Sequence, residues 1–451
     1  MKAPANTKRN ARHTPGRKRK EHEMTEQIRI PFSPPDITEA EIEEVADALR
    51  SGWITTGPKT KQLERELADF VGTKRAACLG SATAALEIAL RLLGIGPGDE
   101  VITSAYTYTA SASPVCHVGA KLVLCDTAPG SFEMDYEQLE RLITPRTKAI
   151  IPVDLGGVMC DYDALRDAIS RFGGAWTPAN DRQRAIGRIA IVADGAHALG
   201  SVSHGVRAGQ AADMTTFSFH AVKNFTTAEG GAITWREGLF DDEELYHECM
   251  LLSLHGQSKD ALAKTKAGAW EYDVAFPGWK CNMTDLQAGL GLAQMRRYPG
   301  MLARRRQLVA HYEANLADMN AQIMRHYTTA DGSDAAGAPD DAAARADAAQ
   351  SSSSGHLMLV RLTGRSQAFR NRVIELMAEA GIATNVHYKP LPLLTAYRDL
   401  GFDIKDFPNA FAQFENEITL PLHTKLTDAD VDLVCEALHS AYAQAETEGL
   451  A

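Results

Sequence analysis

The chain has 451 residues, 45% of them hydrophobic and 23% charged, with a formal net charge of −11. That is the composition of a globular protein, too long for one small domain and suited to a large domain plus a smaller one. Its apolar runs are strand-sized, far short of the roughly 20 residues of a membrane span, and its acidic body argues against nucleic acid as the main partner.

Residues 1–23 hold eight Lys or Arg against two Glu. They read as a disordered basic extension, with an arm for nucleic acid or an anionic membrane surface as the alternative. No secretory apolar stretch follows, so a cytoplasmic location is expected. From there to residue 235 strands alternate with helices. Ala76 to Leu79 is followed by a helix carrying Thr83, Leu86, Ile88 and Leu92, and Val101 to Thr103 by a helix starting near Ser111. Lys121 to Cys125, Ala149 to Val153, Ile189 to Val192, Thr215 to Phe219 and Ala232 to Trp235 supply further strands. This alternation predicts an α/β fold with a mostly parallel sheet covered by helices on both faces.

Two stretches break the pattern. Phe172 to Arg188 reads as a surface insertion. Residues 328–355, rich in Ala, Asp, Ser and Gly, read as a disordered or mobile insertion because they lack large apolar side chains. Beyond lie a strand at Leu357 to Leu362, a helix at Ser366 to Ala380, a strand resuming at Thr419, and a final helix at Asp428 to Tyr442 with one apolar face. The expected division is a large cofactor-binding domain over 24–300 and a small C-terminal α+β domain over 301–451. Seven cysteines without CxxC spacing predict reduced thiols and no metal site.

The chemistry concentrates where two apolar strands end. The strand Ile189 to Val192 runs into Ala193-Asp194-Gly195-Ala196-His197, and Met214 to Phe219 contains Ser218 and precedes Lys223. An acid after one strand and a lysine after the next suit pyridoxal phosphate: a lysine amine bonds the cofactor aldehyde, and a carboxylate keeps the pyridine nitrogen protonated. A serine hydroxyl can meet the phosphate. Taken singly each residue has a plainer reading, as a solvated lysine, an aspartate turn former or a small core serine.

Further segments stand in a fixed order around this pair: Ser51 to Pro58, Gly80 to Leu86, Ala105 to Ala110, Gly278 to Gln287, Val386 to Leu391 and Leu420 to Thr424. Together they make the chain resemble the DegT/StrS-type nucleotide-sugar aminotransferases, within the fold-type I pyridoxal phosphate enzymes, from about Ile30 to Ala441.

The resemblance implies that Lys223 holds the cofactor and then moves a proton as the base, and that Asp194 partners the pyridine nitrogen. It places His197 near the phenolic oxygen of the cofactor, with a helix-surface histidine as the alternative. Ser81, Ala82 and Thr83, at a strand-to-helix turn, would cradle the phosphate together with Ser218. Tyr108 would stack on the ring, and Tyr106 would face the same side if both lie in a strand. Asn282 would reach the phosphate of a neighbouring subunit in a homodimer with shared active sites. Thr56, Gly57 and His387 are candidates for contacting substrate or donor. The implied reaction moves an amino group from glutamate to a nucleotide-linked keto sugar, for surface glycans or secondary metabolites. The rivals are a keto-inositol or other ketone substrate, dehydration of a cyclic acid, or a cofactor-binding regulator.

Overall fold

The alternating segments form a seven-stranded sheet in the computed structural model, which describes residues 28–258, 271–329 and 349–450. The basic extension expected over 1–23 lies outside the described residues. In chain order the strands are β1 (Ala76–Leu79), β2 (Glu100–Ser104), β3 (Lys121–Cys125), β4 (Thr147–Ile151), β5 (Ala190–Asp194), the short hairpin β6 (Val202–Ser203) and β7 (Val206–Arg207), β8 (Met214–Ser218) and β9 (Gly231–Trp235). The central sheet has the order β1-β9-β8-β5-β4-β2-β3. Pairings from β8 through β3 are parallel, and β9 runs antiparallel to both its neighbours. It is a mixed α/β fold with a mostly parallel sheet flanked by helices.

The strands read as unbroken apolar runs because helices cover both faces, as parallel sheets require. On one side Leu86, Ala89 and Leu90 of the helix Ala82–Leu92 pack with Val101, Ile151, Val192 and Ile233. On the other, Ile102, Ile150 and Ile191 pack with Leu139, Leu165 and Ile169. The stretch expected as a surface insertion carries a short helix, Asp181–Ile186, with Gln183 buried. There Asn180 Nδ2 and Gln183 Nε2 both donate to the Leu93 carbonyl, which satisfies an orphan acceptor at a helix end.

A 31-residue helix, Asp285–Asn315, links this sheet to the C-terminal part, and residue 300 falls inside it. Its start is fixed by a capping box between Thr284 and Gln287. Its first half packs Ala288, Leu292 and Tyr298 beside Phe217 and Phe219. Its second half packs Leu308, Val309 and Tyr312 into a separate core. That core lies on an antiparallel sheet of β10 (Ala321–Ile323), β13 (Met358–Leu362) and β14 (Glu417–Leu420), in the order β10-β13-β14. The helices Gln367–Glu379 and Asp428–Thr447 pack on it.

The expectation of disorder across 328–355 fails at its C-terminal end; residues 330–348 lie outside the described residues. β11 (Tyr327–Thr329) pairs with β12 (Ala349–Ser352), and β12 continues onto β6. Ser352, Ser353, Ser354 and His356 are buried. These side chains are held by hydrogen bonds rather than apolar contacts. Ser353 Oγ pairs with His326 Nδ1 at 2.9 Å, and the Ser354 amide donates to Ser201 Oγ at 2.9 Å.

Candidate active site

The carboxyl ends of parallel strands leave a crevice where ligands bind in such sheets. Here a cleft of about 350 Å³ opens beyond β5 and β8, lined among others by Ser81, Thr83, Tyr108, Asp194, His197, Ser218, Lys223, His387 and Tyr388. Folding therefore brings together most residues singled out in the sequence.

Asp194 ends β5 and is 5% exposed. Its Oδ2 accepts a hydrogen bond from Ser111 Oγ at 2.6 Å, and its Oδ1 accepts from the Ala196 amide at 3.2 Å. Burial pushes its pKa above the usual range, while these donors and the Lys223 charge pull the other way. A cationic partner is therefore what this carboxylate needs. Lys223 follows β8, its amide donating to the His220 carbonyl at 2.9 Å. Burial lowers its amine from 10.5 to about 8 against the pull of Asp194, so a usable share is neutral and nucleophilic near neutral pH.

The turn after β1 feeds the helix Ala82–Leu92. Ser81 Oγ caps it by accepting from the Ala84 amide at 3.1 Å, and the Ala85 amide donates to the Ser81 carbonyl. Among the described residues this leaves the Ala82 and Thr83 amides without a protein acceptor, at the positive end of the helix. Gly231 lies against this end: a Cβ there would come within 2.4 Å of the Ala82 nitrogen. Only glycine leaves the amides clear. A buried acid, a lysine of depressed pKa and an open helix N-terminus fit the ring nitrogen, aldehyde and phosphate of pyridoxal phosphate.

The remaining expectations divide. Tyr108 is 59% exposed on the cleft, its ring 5.9 Å from that of Tyr388. Tyr106 does not share its side: β2 stops at Ser104 and the chain turns, burying Tyr106, whose hydroxyl donates to the His387 carbonyl at 2.9 Å. His197 is buried against the cleft rather than on a helix surface, its Nδ1 accepting from the Gly156 amide at 3.1 Å. His387 lines the cleft, with Nδ1 2.9 Å from Thr419 Oγ1 and its ring stacked on Phe32. Burial and the Lys223 charge push its pKa down to about 3.

Thr56, Gly57 and Asn282 do not line the Lys223 cleft of their own chain. They form one cluster elsewhere: Asn282 Nδ2 donates to Thr56 Oγ1, Thr56 Oγ1 to the Met283 carbonyl, and the Gly57 amide to Asp285 Oδ1 at 2.8 Å.

Sequence reading missed Ser111, Tyr388 and His356. Tyr388 stood inside a noted segment, and Ser111 followed one. His356 carried no signal, because it adjoined a stretch read as unpacked.

A model of the DegT/DnrJ/EryC1/StrS aminotransferase family matches residues 35–439. The chain is 37% identical to the spore coat polysaccharide biosynthesis protein SpsC of Bacillus subtilis (strain 168), over 91% of this chain and 96% of that protein. Among solved structures it resembles the putative sugar aminotransferase Spr1654 from Streptococcus pneumoniae. The PMP-form gives a TM-score of 0.85 at 53% identity, covering 92% of this chain and 100% of that one. The PLP-form gives 0.84 at 52% identity, covering 92% and 99%. These likenesses span the sheet, the cleft and the C-terminal core alike, and the cleft has the groups that pyridoxal phosphate requires. The protein belongs to the DegT/DnrJ/EryC1/StrS aminotransferase family and is a pyridoxal phosphate-dependent sugar aminotransferase.

Proposed function

We propose that the protein transfers an amino group from L-glutamate to a nucleotide-linked keto sugar, giving an amino sugar for a surface glycan or secondary metabolite. The observation that carries the reading is Lys223, depressed to about 8, in one cleft with the buried Asp194. Sugar as the substrate class follows from the family. The nucleotide link and glutamate as donor rest on the motif resemblance, and the glycan destination on the spore coat polysaccharide role of SpsC.

When bound, pyridoxal phosphate supplies an electrophilic aldehyde and an electron-accepting ring. Lys223 would hold the cofactor through its amine, and its side chain would serve as the base that moves a proton at the substrate carbon. Asp194 would hold the positive charge of the ring nitrogen, and Ser111 fixes the carboxylate that would do so. The Ala82 and Thr83 amides with Ser218 would receive the phosphate, Tyr108 would cover the ring, and His197 would lie towards the phenolic oxygen. His387 contacts donor or sugar. Asn282 serves the cleft of a neighbouring subunit in a cytoplasmic homodimer.

Purified protein loaded with pyridoxal phosphate should be yellow, and glutamate should bleach it. The bleached protein should then pass 15N from labelled glutamate to a nucleotide-linked keto sugar and regain its colour. Bleaching without transfer to any nucleotide sugar, but with transfer to a keto-inositol, would move the substrate to that class. Failure of every amino acid to bleach it would refute transamination.

A further inference from the structure

Tyr388 offers the cleft a hydroxyl whose orientation is set three residues deep. The Gly156 amide sits 3.1 Å from His197 Nδ1, and a backbone N–H can only donate, so Nδ1 accepts. Burial, with the nearby Lys223 charge next, keeps His197 well below its ordinary pKa, so the ring is neutral. A neutral imidazole accepting at Nδ1 carries its one proton on Nε2. That nitrogen is 3.2 Å from the Tyr388 hydroxyl, so His197 donates and the phenol oxygen accepts. Burial, with the negative charge of Asp194 next, raises the phenol pKa, so Tyr388 stays protonated. Among the described residues its hydroxyl has no partner other than His197, and its hydrogen is left without a protein acceptor in the cleft wall.

The arrangement is braced from behind. The Gly156 carbonyl accepts from the His356 amide at 2.9 Å, holding the turn that aims the Gly156 N–H. The His197 and His356 rings lie 4.3 Å apart. Asn224 Nδ2 donates to the Ser354 carbonyl, which points Asn224 Oδ1 at His356 Nδ1. Burial keeps the pKa of His356 well below its ordinary value, so this ring too is neutral, and with Asn224 Oδ1 accepting from Nδ1 it is the opposite tautomer to His197.

We infer that Tyr388 is a substrate-contacting hydrogen-bond donor for an oxygen of the reacting molecule, and that His197 is a positioning residue whose Nε2–H tautomer forces the Tyr388 proton towards the cleft. The acceptor is either a carboxylate oxygen of the amino donor or an oxygen of the keto sugar, and the two half-reactions separate these sources. The inference rests on the aminotransferase reading and adds a residue to it.

Two measurements test it. In protein labelled with 15N-histidine, with His197 assigned by its loss in His197→Gln, the long-range 15N spectrum should show His197 protonated at Nε2, and Tyr388→Phe should leave that pattern in place. An Nδ1-protonated His197 overturns the positioning argument whether or not any substrate is turned over. In single-turnover experiments, Tyr388→Phe should load with cofactor and keep its melting temperature, yet slow one half-reaction about 10- to 100-fold, the range for a lost hydrogen bond to a charged or strongly polar acceptor. Slowing with glutamate identifies the donor carboxylate; slowing with the keto sugar identifies the sugar oxygen. Rates within twofold of the parent in both halves overturn the contact. A parent protein that no amino acid bleaches would instead refute the aminotransferase reading, leaving the tautomer result standing alone.

Discussion

The chemistry of Lys223 is decided by where its side chain sits. In water a lysine amine is almost wholly charged at neutral pH, and desolvation disfavours that charge. Burial lowers Lys223 from 10.5 to about 8, so its neutral share rises with pH and levels off once pH passes 8. In cofactor-free protein the rate at which pyridoxal phosphate develops the yellow lysine-bound colour should follow this curve. A rate still climbing between pH 9 and 10.5 would show an undepressed lysine. Asp194, Ser218 and Lys223 were legible in the sequence because strand ends expose them at fixed positions. His197 was not, because Asp-x-x-His suits a buried or an exposed imidazole equally, and only the Gly156 amide and the packed His356 ring decide it. Tyr106 was misread for a similar reason. Alternation predicts a shared face only while the strand lasts, and β2 ends at Ser104.

At the level of elements, strands that read as apolar runs appear within a residue or two of their expected positions, since burial on both faces leaves few other arrangements. The misjudged element is the serine-rich end of the 328–355 stretch. Disorder is inferred from missing apolar burial, yet Ser352 to Ser354 are buried by satisfying polar groups around them. Ser354 Oγ donates to the His197 carbonyl at 2.5 Å, tying this segment to the cleft. Gly157 is the mechanical centre of that junction. It has φ 94°, and a Cβ there would come within 2.2 Å of Ser354 Oγ and 3.1 Å of the His197 carbonyl oxygen. Gly157→Ala therefore combines a left-handed backbone penalty of about 1–2 kcal/mol with displacement of Ser354. The melting temperature of the variant should fall by several degrees, and cofactor should dissociate faster. An unchanged melting temperature would mean that the serine segment moves aside without cost.

The whole molecule poses the question of where Thr56, Gly57 and Asn282 act. They cluster together yet stand outside the cleft of their own chain, with Asn282 held to Thr56 and its backbone bridged to Leu79 at the end of β1. A cluster absent from its own cleft, in which the resemblance implies a phosphate contact for Asn282 and substrate contacts for Thr56 and Gly57, makes sense if a two-fold axis presents it to the partner's cleft, as isologous dimers do. Asn282→Asp sets a negative charge against a phosphate and should weaken cofactor retention strongly. Lys223→Ala removes the bonding amine. Each variant should be inactive alone. When the two are mixed and allowed to exchange subunits, a mixed dimer with shared sites has one cleft carrying both defects and one carrying neither. Activity should then return to roughly half per mixed dimer. If each cleft is built from a single chain, every cleft carries one defect and nothing returns. Demonstrated subunit exchange without any recovery would therefore overturn the shared-site model and leave Asn282 and Lys223 serving a cleft built from one chain.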